Sequence, residues 1–218
     1  MAYEKKTGSY TTKNGVTFQY YVYENRVAGK APALLVYLSG TDGVGDDLTK
    51  LLRIESLPSY LEQGKITLPE GSVLLAPQCP AGHKWYAMPG DVTELIESMA
   101  RQLGADEKRV SLTGCSLGGM GTYAAAIARP EMFSCIVPVC GSVKAEDCAV
   151  LTKCPVWIFH GELDDGMGFS SVEANCVIKQ AGGTCRLTLL PDEGHEIRHV
   201  YYDECYRLIE WMTTRVKA

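Results

Sequence analysis

A chain of 218 residues with 46% hydrophobic and 22% charged side chains is long enough to bury a substantial core and has ordinary globular composition, which excludes disorder and coiled coil. Its formal charge of −5 lacks the basic excess of a dedicated nucleic-acid binder. No apolar run reaches membrane-spanning length, and the opening "MAYEKKTGSY" has no signal-peptide core. The expectation is one soluble, cytoplasmic domain over residues 1–218, with neither nucleic acid nor membrane as partner.

"VTFQYYVYE" (Val16–Glu24) follows an Asn-Gly turn and has the aromatic, β-branched content of a strand. "ALLVYL" (Ala33–Leu38) is a continuous apolar run, as expected of a strand buried on both faces, and it ends in the glycine-rich "SGTDGVGDD". "SLPSYLEQG" predicts a short helix closed by glycine, and "SVLLAP" (Ser72–Pro77) the next buried strand. "DVTELIESMARQLG" predicts a helix with Asp91 as its cap and an apolar stripe of Val92, Leu95, Ile96, Met99 and Leu103.

"RVSLTG" then reads as a strand, followed by a bend and an alanine-rich helix that stops before Pro130. "CIVPVC" and "VWIFHG" are further strands. A helix over "SSVEANCVIKQAGG", the strand "CRLTLLP" and a last helix through "YYDECYRLIEWM" complete the chain. Such alternation predicts an α/β fold: a mostly parallel sheet of seven or eight strands, helices on both faces, and connections too short for a sizeable cap.

Nine cysteines form no CxxC pair, and none stands with histidine at zinc-finger spacing. Cys135, Cys140 and Cys154 lie inside apolar runs, where a thiol behaves as a small hydrophobe. The expectation is reduced thiols and no metal or other cofactor.

The informative stretch is "SLTGCSLGGMGTYAAA". Gly114-Cys115-Ser116-Leu117-Gly118 stands between a buried strand and a helix, the setting of a nucleophile elbow. Glycines relieve the clash of backbones brought together by the bend. The amide of Leu117 then faces the place where a carbonyl oxygen would sit, at a helix N-terminus that favours negative charge. Cys115 is a rival nucleophile, but its neighbouring position turns it toward packing.

A serine hydroxyl needs a base, and in this strand order the acid and the histidine should follow it in the chain. His195, in the polar loop "PDEGHE" after the last strand, is the candidate base. His160 reads as support near the site, His199 as a surface or capping residue, and His83 as a loop residue. "HGELDD" offers Asp164, with Asp165 and Glu162 as competitors, to fix the His195 tautomer. The second oxyanion donor should be the amide of Thr41, or less favourably Gly40, in "SGTDG". Gln78, Trp85 and Tyr86 are candidates for lining the cleft, although Trp85 equally suits the core.

With these pieces in order the chain resembles the α/β-hydrolase superfamily. It is most similar to small bacterial esterases of the phospholipase/carboxylesterase and dienelactone-hydrolase branch. The resemblance rests on "LLVYLSG", "LLAPQCP" followed by Trp85, "DEKRVSLTGCSLGGMGTY", "RPEMFSCIVPVCG", "HGELDD" and "GHE".

It implies a catalytic set of Ser116, Asp164 and His195, oxyanion amides from Thr41 and Leu117, and Met167 as an apolar residue facing the site. The chain departs from that pattern at Ser39-Gly40, where His-Gly is usual, and at Tyr123, where tryptophan is frequent. The implied activity is a serine esterase, cleaving a small-molecule carboxylic ester through an acyl-enzyme. A peptidase or amidase using the same residues, and a catalytically silent binding protein, are the alternatives.

Overall fold

Residues 33–38 alternate between two apolar neighbourhoods. Leu34, Val36 and Leu38 belong to one buried cluster, Leu35 and Tyr37 to another. That two-residue period is what a strand covered on both faces requires.

The computed structural model describes residues 3–164 and 168–217. It places this strand, β3 (Ala33–Leu38), near the middle of an eight-stranded sheet. The others are β1 (Glu4–Thr11), β2 (Thr17–Asn25), β4 (Ser72–Pro77), β5 (Val110–Cys115), β6 (Cys135–Val139), β7 (Val156–Gly161) and β8 (Cys185–Leu190). Their order is β1-β2-β4-β3-β5-β6-β7-β8. β4 through β8 run parallel, and the β1–β2 hairpin adds antiparallel strands at one edge.

Helices cover both faces, as expected. α3 (Pro89–Gln102), α4 (Leu117–Ala128) and α5 (Gly168–Gln180) contribute to the cluster that holds Leu34 and Val36. α1 (Lys50–Arg53), α2 (Leu57–Glu62) and α6 (Leu208–Thr214) contribute to the cluster that holds Leu35 and Tyr37. The connections leave no large cap over the sheet. Among the described residues no helix is long and apolar enough to cross a membrane.

The chain leaves β3 toward β4 on one side and returns to β5 on the other. A crevice therefore opens between the carboxyl ends of β3 and β5, the position where open α/β sheets bind ligands. Leu38 pairs with Gly114 at that end. There the elbow glycines have the role expected of them. A Cβ on Gly114 would stand 2.6 Å from the Leu38 carbonyl oxygen, and one on Gly118 would overlap that oxygen outright.

Three details differ from the sequence reading. The charged opening segment is an edge strand, β1, whose Glu4, Lys5 and Lys6 are exposed; charges on an edge discourage pairing with another sheet. Asp91 does not cap α3, which begins two residues earlier at Pro89. Its carboxylate instead accepts the Thr12 hydroxyl at 2.6 Å. The last helix is shorter than its apolar pattern suggests, because Arg207 takes a left-handed conformation with φ 46° at its start. A single-turn 3-10 segment, Arg198–Tyr201, precedes it.

The close approach of β3 to α4 gives a direct test. Gly118→Ala should destabilise the fold by about 3 kcal/mol, because the new carbon meets backbone rather than a movable side chain. Urea unfolding midpoints of the two proteins measure it.

Candidate active site

Ser116 follows β5 and is the residue that precedes the first turn of α4, with φ 57° and ψ −118°. A non-glycine residue with positive φ is strained, and such strain persists where the surrounding structure over-determines it. Here the Ser116 amide donates to the Val139 carbonyl and its own carbonyl accepts from the Met120 amide. The bend is thus fixed from both sides. Cys115, by contrast, is buried, and burial pushes its thiol up to about 12. That is the packing role expected of it.

Asp164 comes from the turn after β7 and His195 from the loop after β8. A carboxylate oxygen of Asp164 accepts from His195 Nδ1 at 2.7 Å, and His195 Nε2 meets the Ser116 hydroxyl at 2.8 Å. The Asp164 side chain is only 8% exposed, whereas the His195 ring is 30% exposed. The acid is therefore shielded while the imidazole reaches the crevice. Three groups more than thirty residues apart in the chain meet because β5, β7 and β8 end on the same edge of the sheet.

The same carboxylate oxygen has a second imidazole. His160 Nε2 lies 2.9 Å from it, and His160 Nδ1 lies 2.7 Å from the Ser171 hydroxyl. His160 is completely buried, and burial lowers its pKa despite the opposing pull of the Asp164 carboxylate. It is therefore neutral, with Nε2–H donating to Asp164 and Nδ1 accepting from Ser171. The sequence reading of His160 as support near the site was correct in place. What it missed was that the four-residue spacing of His160 and Asp164 brings ring and carboxylate together across the turn.

The expected serine esterase needs correction at its nucleophile. Cys140, read from sequence as a small hydrophobe, is buried directly after β6, yet its Sγ, a carboxylate oxygen of Asp164 and a ring nitrogen of His195 lie within 4.8 Å of one another. That is the Cys-His-Asp composition of a cysteine hydrolase. A hydroxyl and a thiol therefore share one acid–base pair, and an assignment that names serine alone does not describe the site.

The two groups are not equivalent in this conformation. The hydroxyl of Ser116 is hydrogen bonded to His195 Nε2. Burial, with Cys115 close by, holds the Cys140 thiol well above the ordinary cysteine value and so protonated. Cys140, Asp164 and His195 could also present donors to a metal ion. Both ring nitrogens of His195 are already engaged, so a metal would have to displace one partner.

A cavity of about 460 Å³ opens beside Ser116, lined in part by Thr41, Tyr86, Leu117 and Met120. Thr41 begins a 3-10 turn, Thr41–Gly43, and Leu117 begins α4; first-turn amides have no acceptor within their own element. Two other candidates for the lining lie elsewhere. Gln78 is buried and braces the loop behind the cavity, donating from Nε2 to the carbonyls of Gly43 and Asp47. Trp85 belongs to the core: it stacks on Phe18, and its indole donates to the Ser39 carbonyl at 2.9 Å. Met167 and the competing acid Asp165 lie outside the described residues.

Met120, Val44 and Lys84, which were not singled out from sequence, also line the cavity, as does His83, read there only as a loop residue. For Met120 a signal existed, since it stands one helical turn beyond Ser116. Two loops of the site are also tied from below. The buried Arg198 guanidinium pairs with Asp42 at 3.1 Å and with Glu196 at 3.0 Å, the residues that follow Thr41 and His195.

The sheet order, the elbow and the acid–base pair at its carboxyl edge decide the wider relationship. The chain has the α/β-hydrolase fold. Comparison with known proteins agrees. Residues 87–152 match the prolyl oligopeptidase family. A bifunctional acetylxylan esterase/xylanase of Neocallimastix patriciarum is 28% identical over 109 residues, which is 48% of this chain and 16% of that protein.

Among solved structures, a thermostable esterase superposes with a TM-score of 0.82 at 22% identity, over 98% of this chain and 63% of its own. A ferulic acid esterase does so with a TM-score of 0.71 at 14% identity, over 98% and 99%. At these identities the likeness to the solved structures is one of α/β-hydrolase fold.

The neutrality of His160 gives a prediction. Its folded pKa lies below the ordinary imidazole value of 6.5, so the unfolded chain binds more protons there and stability falls as pH drops below that value. His160→Gln should remove this part of the acid sensitivity. Urea midpoints at about pH 5 and about pH 7.5 should differ less in the variant than in the wild type.

Proposed function

We propose that the protein hydrolyses a small-molecule carboxylic ester, with His195 as the base and Asp164 as the group that fixes its ring. The observation that carries this reading is the pair itself: Asp164 on Nδ1 at 2.7 Å, and Nε2 2.8 Å from the Ser116 hydroxyl, which lines the cavity. A carboxylate on Nδ1 leaves Nε2 as the acceptor and stabilises the imidazolium that forms when it takes a proton.

In the first half-reaction the attacking O–H or S–H gives its proton to Nε2 as its heteroatom bonds to the acyl carbon. The carbonyl oxygen becomes an oxyanion, and the amides of Thr41 and Leu117 are the proposed donors to it. As the tetrahedral centre collapses, the imidazolium returns the proton to the departing alcohol. Water, deprotonated by the same nitrogen, then adds to the acyl group and releases acid and enzyme. The nine unpaired cysteines, seven of them buried, suit a reducing compartment such as the cytoplasm.

The match of residues 87–152 to the prolyl oligopeptidase family favours amide cleavage as a second reading. Matched p-nitrophenyl esters and p-nitroanilides separate the two, and ester turnover is expected to be the faster.

His195→Ala and Asp164→Asn should each lower kcat/KM for an activated ester on the order of 10⁴-fold with folding retained. Rapid quenching during turnover, followed by peptide mass mapping, locates the acyl group. An adduct on the Ser116 peptide that persists in Cys140→Ala assigns the hydroxyl as attacking group. One on the Cys140 peptide that persists in Ser116→Ala assigns the thiol. Full activity in His195→Ala would remove the pair from the mechanism and sink the reading.

A further inference from the structure

The cavity beside Ser116 does not end the depression in the surface. A second cavity of about 540 Å³, also mostly apolar, adjoins it, and the two share Tyr86 and Met120 in their walls. Its floor continues along α4. Met120, Ala124 and Ile127 follow Ser116 at helical spacings of four, four and three residues, so they form one stripe leading away from the hydroxyl. The stripe runs for roughly 16 Å at the helical rise.

Neighbouring residues of the same helix, Tyr123, Ala125 and Ala126, are wholly buried, whereas Met120, Ala124 and Ile127 remain half-exposed. Val143 lines the same cavity, and the charged Lys144 and Asp147 are also in its wall. An uncovered apolar stripe that begins at the elbow, in a cavity whose wall also carries charge, is a shape for an amphiphilic arm. Burying apolar area supplies the attraction, and the charged residues meet a polar substituent.

We propose that this trough is the specificity subsite, taking a phenyl-sized or longer apolar arm of the ester, with a polar substituent accommodated by Lys144 and Asp147. The assignment rests on the hydrolytic reading of His195 and Asp164. Continuity with the cavity at Ser116 commits the trough to a part of the substrate rather than to a partner protein. The arm belongs either to the acyl group or to the alcohol, and the two are separable by experiment.

One series varies the acyl chain of p-nitrophenyl esters from acetate to octanoate. The other varies the alcohol of acetate esters from methanol through butanol to benzyl alcohol. In one series kcat/KM should rise about fourfold for each methylene that enters the trough, then level off. The long-to-short ratio within that series should collapse toward one in Ala124→Trp, which fills the trough, and fall in Ile127→Ser, which makes its floor less apolar. Using a ratio within each variant removes any effect on folding or on the chemical step.

Loss of turnover on every ester by the wild type would overturn the hydrolytic reading. Turnover that is present but flat in both series, or a rising series that both variants leave unchanged, would overturn the trough alone. A flat series together with a concentration-dependent dimer that Ile127→Asp disrupts would assign the stripe to a second copy of the chain, and would equally overturn the proposal.

Discussion

The structure depends on one close approach between two stretches of backbone. The start of α4 passes so near the end of β3 that neither Gly114 nor Gly118 has room for a side-chain carbon against the Leu38 carbonyl. That proximity sets the separation between the Ser39–Thr41 loop and the elbow, and so the width of the crevice. Trp85 secures the arrangement from the side, packing against Gly121 while its indole holds the Ser39 carbonyl. Arg198 secures it from below through Asp42 and Glu196. The crevice is thus fixed by groups that themselves lie behind its surface.

Around that crevice the polar groups form a single line. Ser171, His160, Asp164, His195 and Ser116 are joined by successive hydrogen bonds. One oxygen of Asp164 serves both imidazoles. Burial holds the His160 ring neutral, so it acts as a fixed donor, whereas the His195 ring is partly open to solvent. Cys140 adds a thiol to the same neighbourhood and turns a site legible as serine chemistry into one with two nucleophile-capable groups.

Much of the fold was legible because buried strands and amphipathic helices leave periodic marks. Ala33–Leu38 and Ser72–Pro77 match the sequence reading to the residue, since nearly every side chain in them is buried. β1 escaped notice because an exposed edge strand needs no apolar pattern, only backbone pairing to β2. The final helix was overextended for the opposite reason: its residues are apolar enough, but a left-handed residue breaks the run.

In the site, Ser116, Asp164 and His195 were read from chain order and turn chemistry, and the structure places them in hydrogen-bonding sequence. Cys140 was missed because an apolar sequence context describes a thiol's packing and not which groups later converge on it. Gln78 was misplaced, and Trp85 stayed open between lining and core, because polarity and aromaticity do not reveal which side of a loop a residue supports.

The backbone at Ser116 has a consequence for descent. Its positive φ suits glycine far better than serine, so every copy that keeps the hydroxyl there holds a conformation its own side chain disfavours. Lineages in which that oxygen no longer matters would drift toward glycine at this one position and become sturdier for it. A relative with the sheet, the crevice and the buried arginine intact, but glycine at the bend, would be the fossil of an abandoned use of that oxygen.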